Sequence, residues 1–278
     1  MNQDKINSAI RILKLAEQEA KRFDEPVEIA YSGGKDSDVL LQLAKESGIN
    51  YRAIYKNTTI DPPGTMQHVR ANNVEVKQPK RSFFKIVQAK GFPSMFRRFC
   101  CRELKEYKIL NVCSTGIRTD ESTRRKKQNP TFEKCRIYSK KERVRLYSPI
   151  WDWNLSDVAE FVNERQIRLA PIYYQEDGSI DFNRRLGCLG CPMKSDRGIA
   201  DFKAHPQILR AIMRSAVIYT HTHTHTLRNF NNNPYDAFFC NVMCRSYGEY
   251  KTRISKDLFG NELNTKKYIE EYFNVKFD

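Results

Sequence analysis

A chain of 278 residues with 48 Lys or Arg against 33 Asp or Glu carries a formal charge of +15, an excess that attracts polyanions and leaves nucleotide, nucleic acid and anionic membrane surfaces open as partners. Every apolar run falls far short of the roughly 18 residues a membrane span needs, and the charges scattered through MNQDKINSAIRILKLAEQEAKRF leave no apolar core for a secretory signal, so a cytoplasmic location is expected. Eight cysteines, at 100, 101, 113, 135, 188, 191, 240 and 244, are then read as metal or redox groups and not as the disulfide staples of a small secreted scaffold.

Ile6, Ile10, Leu13 and Ala16 fall at helical spacing, with Lys and Glu opposite, and predict an amphipathic helix over 6–21. The period then changes. Residues 27–31 (VEIAY) are β-prone, 32–37 form a Gly-containing turn, and 38–47 (DVLLQLAKES) are an apolar helix stopped by Gly48. A second strand over 51–55, a break at Pro62-Pro63, a helix over 65–72 and a strand at 74–76 continue the alternation. Helices over 82–90 and 102–110 and a strand over 112–117 follow. Such alternation predicts an α/β fold, a parallel sheet with helices on both faces.

Residues 121–143 are polar, strongly basic and nearly without periodicity, and predict a long mobile loop over the C-terminal edge of the sheet. A strand over 143–147 and a helix over 157–165, capped by Asn154 or Ser156, come next, with Trp151 and Trp153 expected in the core. From 200 onward the pattern is helical. The expected division is an N-terminal helix over 1–24, a main domain over 25–199 and a helical C-terminal subdomain over 200–278.

Ser32-Gly33-Gly34-Lys35-Asp36-Ser37 lies between a predicted strand and a predicted helix, where a phosphate-binding loop belongs. Two glycines let the backbone approach an anion, the first helical amides point at it, and the helix dipole favours negative charge. Ser32 and Ser37 add hydroxyl donors and Lys35 a positive charge. The spacing matches neither Walker A nor GxGxxG.

Cys100-Cys101 is followed, after 86 residues, by Cys188-Leu189-Gly190-Cys191. A CxxC with an internal Gly forms a knuckle offering two thiolates to one centre. Adjacent cysteines point in different directions, which serves a tetrahedral zinc ion poorly and the separate corners of a [4Fe-4S] cluster better.

These motifs carry a resemblance. The hexapeptide SGGKDS resembles the PP-loop, SGGxDS, of the adenine-nucleotide α-hydrolase superfamily. CC followed by CxxC is similar to the cluster pattern of the iron-sulfur branch of the phosphoadenosine phosphosulfate (PAPS) and adenosine phosphosulfate (APS) reductase family. Gly116, Arg118, Glu121, Ser122 and Arg125 fit its GxRxxESxxR motif. SPIWDW at 148–153 with Asp157-Val158 fits PIxDWxxxDV, and residues 187–192 fit GCxxCP. Over roughly 25–200 the resemblance implies a PP-loop α/β domain that binds APS, PAPS or ATP. Ser32, Gly33, Gly34, Lys35, Asp36 and Ser37 would hold the phosphates, with Arg118, Glu121, Ser122 and Arg125 at the nucleotide. Cys100, Cys101, Cys188 and Cys191 would ligate a [4Fe-4S] cluster, and TTIDPP at 58–63 would lie near ribose or adenine.

The sequence departs from that family in lacking an ECGxH-like segment, whose thiolate attacks the activated sulfur and is resolved by thioredoxin or a similar thiol donor. Cys240 and Cys244, at i, i+4 and so expected on one helix face, are the only late cysteines and the candidate catalytic thiols. His221, His223 and His225 offer a weak metal signal. Two functions compete: thiol-dependent reduction of a sulfonucleotide to sulfite, and ATP-dependent sulfur transfer to DNA or tRNA, as in the related phosphorothioation and thiolation proteins. The CC and CxxC spacing and the GxRxxES segment favour reduction; the complete SGGKDS, the missing tail and the +15 charge favour transfer to nucleic acid. No membrane partner is expected, and the oligomeric state is open.

Overall fold

The computed structural model describes residues 2–121, 132–138, 142–223, 230, 232–255 and 263–277. They form two compact units. Unit 1 comprises 1–57, 61–78 and 105–187; unit 2 comprises 58–60, 79–104 and 188–278.

Unit 1 opens with α1 (Gln3–Lys21), started by the Asn2 side chain accepting from the Asp4 amide and burying Ile6, Ala9, Leu13 and Ala16. β1 (Val27–Tyr31), α2 (Lys35–Ser47), β2 (Tyr51–Lys56), α3 (Thr65–Ala71) and β3 (Glu75–Lys77) follow as the alternation predicts, with α2 beginning three residues earlier than expected. In unit 2, α4 (Phe83–Lys90) matches its prediction, whereas the helix expected over 102–110 is instead the short α5 (Phe99–Leu104). Back in unit 1 come β4 (Val112–Thr115), β5 (Glu133–Ile137), β6 (Arg143–Tyr147) and α6 (Leu155–Glu164). Asn154 caps α6 through a reciprocal box with Asp157, which settles the choice of cap.

The six strands lie in the order β3-β2-β1-β4-β6-β5, all parallel except β5, which pairs antiparallel with β6 at the edge. The fold is therefore α/β, a mostly parallel sheet with helices. β5 corrects the expectation of one long loop over 121–143: its sequence, EKCRI, is polar and mostly exposed, and edge pairing with Arg143–Tyr147 supplies the order that apolar alternation does not. Residues 122–131 and 139–141 of that segment lie outside the described residues. Trp153 is fully buried in the unit 1 core and Trp151 packs against it.

Unit 2 has no strand among its described residues. α7 (Ile199–Ala204), α8 (Pro206–Thr222), α9 (Pro234–Phe238), a π-helical turn (Phe239–Met243), α10 (Tyr247–Ile254) and α11 (Thr265–Phe273) complete it. They join α4 and α5 around an aromatic core of Phe83, Phe202, Phe238, Phe239 and Phe273. No helix among the described residues is long and apolar enough to cross a membrane.

Candidate functional site

β1 has β2 on one side and β4 on the other, so the connections leaving their C-terminal ends diverge there, and a crevice opens at such a switch point. The crevice is a cavity of about 380 Å³ lined by Ser32, Gly34, Lys35, Asp36 and Ser37 after β1, Thr115, Gly116, Ile117 and Glu121 after β4, and Tyr173, Arg185 and Leu186.

The hexapeptide turns through Gly33 at φ +77°, a conformation that strains any L side chain. Gly34 is then extended as the N-cap of α2, and its carbonyl accepts from the Ser37 amide at 2.8 Å, the Asp38 amide at 3.0 Å and the Ser37 hydroxyl at 2.7 Å. The two leading amides meet hydroxyls: Gly34 N–H donates to Ser32 Oγ at 3.3 Å and Lys35 N–H to Tyr173 Oη at 3.1 Å. Tyr173 Oη also accepts from the Leu186 amide at 3.3 Å. Burial pushes this phenol up to about 12, so it keeps its proton.

The charges of the loop are arranged behind it. Lys35 and Arg118 are each only 3% exposed, and Asp36 sits between them. Arg118 Nε donates to Asp36 Oδ1 at 2.6 Å and its Nη1 to the Trp153 carbonyl at 3.4 Å; Lys35 Nζ lies 3.5 Å from Asp36 Oδ2 and donates to the Arg184 carbonyl at 3.3 Å. Asp120 Oδ2 also lies 3.8 Å from Arg118 Nη1, so the Arg118 and Lys35 cations are engaged by protein carboxylates and carbonyls. Gly116 fixes the other wall: a Cβ there would meet the Asp36 carbonyl oxygen at 2.7 Å and its carbon at 2.9 Å, so the connection after β4 runs backbone against backbone with the first turn of α2.

Of the residues the sequence singles out, the structure brings Ser32 to Ser37, Gly116, Arg118 and Glu121 together. Ser122 and Arg125 lie outside the described residues, as does His225. Thr58–Ile60 falls in unit 2 and does not line the cavity. The sequence reading missed Tyr173 and Arg185. Arg185 is exposed at the cavity and donates to the Glu121 carbonyl at 3.2 Å; its one signal was the Arg184-Arg185 pair just before the GCxxCP motif. Tyr173 had none, being 138 residues from the amide it serves. Beneath the loop, buried Asp38 holds Tyr31 Oη and the His68 Nε2 atom, the latter 2.9 Å from Oδ1; burial raises the Asp38 carboxyl and its partners oppose the rise.

The paired cysteines all belong to unit 2. Cys100 and Cys101 are half-buried on α5, and Cys188 and Cys191 are half-buried on the knuckle before α7. The Cys100 thiol is pushed up by its hydrogen bond with Cys101, then by burial and by the nearby Cys101 and Cys188 sulfurs. The knuckle turns at Gly190, φ +65°, whose added Cβ would lie 2.3 Å from the Phe202 ring. Its amide is held by Asp201 at 2.8 Å, and Leu189 N–H by the Ile60 carbonyl at 2.8 Å. In chemistry, four thiols are the soft donor set that an iron-sulfur centre takes. Among the described residues, no three His, Cys, Asp or Glu side chains are gathered closely enough to hold a metal ion.

Cys240 lies in the π-helical turn and Cys244 just beyond it in extended backbone, so the expectation of one α-helical face is corrected: the wider turn and its end separate the two from regular i, i+4 geometry. Burial raises both thiols, while Arg197 opposes the rise at Cys240 and Arg253 at Cys244, with Arg253 Nη1 3.9 Å from the Cys244 sulfur. His223 stacks on Tyr219, ring centroids 4.7 Å apart.

The family described as phosphoadenosine phosphosulfate reductase domain matches residues 26–194. A curated protein of Methanocaldococcus jannaschii, itself uncharacterized, is 26% identical over 211 residues; these are 69% of this chain and 48% of the relative, so the chain spans about half that protein's length. Among solved structures, PAPS reductase from Candida auris in its phosphate complex aligns over 65% of this chain and 95% of its own, with 18% identity and a TM-score of 0.41. FMN adenylyltransferase of Candida glabrata aligns over 64% of this chain and 60% of its own, with 16% identity and a TM-score of 0.43.

Proposed function

The chain belongs to the phosphoadenosine phosphosulfate reductase domain family, and from that premise we propose that it binds an adenine nucleotide by its phosphates and performs thiol-dependent reduction of a sulfonucleotide, APS or PAPS. The observation that carries the nucleotide part is the cavity at the β1/β4 switch point, where the Gly33-Gly34 turn, the α2 N-terminus, Tyr173 and Arg185 converge. Backbone amides of Gly34 and Lys35 would exchange their hydroxyl partners for phosphate oxygens. Arg118 holds Asp36 in place, and Lys35, Arg185, Ser37 and Ser32 act through contact. Ser122 and Arg125 are proposed for the same end of the nucleotide on the strength of the GxRxxESxxR match.

In the reductive step a cysteine thiolate attacks the sulfur of the sulfonucleotide, the sulfur–oxygen bond to phosphate breaks, and the adenosine phosphate leaves. S-sulfocysteine remains. The resolving thiolate attacks the cysteine sulfur and expels sulfite, leaving an enzyme disulfide; thioredoxin or a small dithiol then reduces that disulfide and becomes oxidised itself, so two electrons pass from donor to sulfur. Cys240 and Cys244 are proposed as nucleophile and resolving thiol, Arg197 and Arg253 being the cations that favour thiolate there. Cys100, Cys101, Cys188 and Cys191 are proposed to hold a [4Fe-4S] cluster, which would supply a redox-active, thiolate-ligated iron centre.

A second reading, ATP-dependent sulfur transfer to DNA or tRNA, is favoured by one observation: residues 79–104, which carry Cys100 and Cys101, hold seven Lys or Arg and a single carboxylate. Anaerobically purified protein offered APS, PAPS or ATP separates the two. Sulfite formed from a sulfonucleotide with dithiol supports reduction; pyrophosphate from ATP with no sulfite from either sulfonucleotide installs the transfer reading.

A further inference from the structure

Large apolar side chains at a surface are usually scattered singly and partly covered. Phe96 is not: it is 96% exposed, and its neighbour Met95 is 47% exposed. The segment is held in shape. Ser94 and Arg97 close on each other, Arg97 N–H donating to the Ser94 carbonyl at 3.1 Å and Ser94 N–H to the Arg97 carbonyl at 3.4 Å, so Met95 and Phe96 form the two-residue tip of a closed turn. The Arg97 amide also lies 3.2 Å from Ser94 Oγ, and its guanidinium donates to the Lys90 carbonyl at 3.1 Å and packs over the Phe99 ring. A ring on a braced turn has little conformational freedom left to lose on binding.

The surroundings are cationic. Of the 26 residues from 79 to 104, Lys80, Arg81, Lys85, Lys90, Arg97, Arg98 and Arg102 are basic, and Glu103, the one carboxylate, is paired to Arg81 and Lys90. The stretch thus carries a net +6. All of these cations except Lys90 are exposed.

We propose that the turn at 94–97, with the cations of 79–104 around it, is a docking site for single-stranded nucleic acid, an unpaired base stacking on Phe96 while Arg98, Arg102 and their neighbours meet the phosphates. A flat ring beside guanidinium groups is the pairing that binds single strands without reading sequence. The tip is two residues wide, which suits one base and gives a lipid bilayer little apolar area to bury. A duplex keeps its bases stacked and offers the ring nothing. The proposal does not depend on which nucleotide fills the cavity of unit 1.

The test is fluorescence anisotropy of the full chain with a 5′-fluorescein-labelled mixed-sequence DNA 12-mer, single-stranded and as its duplex, over a series of salt concentrations. Phe96→Ala should weaken single-strand binding about tenfold with an unchanged salt slope, and Phe96→Trp should retain it. The double variant Arg98→Gln, Arg102→Gln should lower the slope by about one to two. Calorimetric ATP affinity and the melting temperature of Phe96→Ala should match the parent. The proposal is overturned if Phe96→Ala binds the single strand as the parent does, if the duplex binds as tightly as the single strand, or if the substitution lowers ATP affinity or melting temperature in step. Loss of binding to phosphatidylglycerol vesicles with single-strand binding intact would also overturn it, in favour of a membrane surface.

Discussion

Residues 32–37 reach their site as one hexapeptide at the end of a strand, and most of what they offer is main chain. The four paired cysteines reach theirs from α5 and from a knuckle 86 residues later, in a unit with no described strand, and what they offer is side-chain sulfur. A parallel sheet fixes amide positions through its ladder, so unit 1 tolerates changes of side chain better than changes of backbone spacing. The helical unit has to hold thiols in place by packing, and the tightness of its knuckle is the sign of it: a Cβ at Gly198 would come within 2.5 Å of the Gly190 Cα.

The sharpest break between the units is expected at the proposed cluster. On the proposed reading, anaerobically purified protein should contain about four irons and four sulfides, and Cys191→Ser should lose them while calorimetry still records adenine-nucleotide binding. Stoichiometric zinc without sulfide in a reconstituted sample would remove the cluster from the account.

Next come two matched substitutions. Gly116→Ala places a methyl group against the Asp36 backbone, and Gly190→Ala places one in the Phe202 ring. Each should cost about 1–3 kcal/mol of stability, but the functional losses should be opposite: nucleotide affinity for Gly116→Ala, iron content for Gly190→Ala. If both variants lose both properties, the two units do not act separately.

Tyr173→Phe is milder. It removes the oxygen that accepts from the Lys35 and Leu186 amides, a loss of about 0.5–1.5 kcal/mol per hydrogen bond in the free protein. Nucleotide phosphate would replace that acceptor for Lys35, so thermal shift measurements should show a smaller deficit with ligand bound.

The smallest effect concerns Cys113 in β4, whose thiol burial pushes well above its ordinary value, with Glu28 adding to the rise. A thiol with a folded pKa above its unfolded one contributes its full stability below the unfolded value, about 8.5, and loses it as the pH climbs toward the folded value. Melting temperature should therefore fall above about pH 8.5, and Cys113→Ala should flatten that part of the fall although it lowers stability at pH 7.

Local pattern explains what was legible. β1, the glycine turn and α2 are consecutive, and each residue's role follows from its neighbours, so strand, loop and helix could be read before any contact was known. Arg118 could be placed at the loop by its motif; that it would spend itself on Asp36 and the Trp153 carbonyl could not, because both partners are tertiary. Tyr173, Gly116's contact with Asp36 and the two-way closure of Ser94 with Arg97 are likewise products of packing, invisible to periodicity. β5 was missed because an edge strand draws its order from its partner.

The interleaving of the units also sets an order of events on the ribosome. Residues 79–104 bring Phe83, Ile86 and Val87 into the unit 2 core, yet the helices that complete that core after α5 begin only at Ile199. At about 5–20 residues per second, those side chains wait roughly 6–23 s for company. During that interval the sheet of unit 1 is being completed while a basic, aromatic segment stays exposed to solvent and to chaperones. Slowing synthesis between codons 105 and 187 should lower soluble yield more than the same delay placed before residue 79.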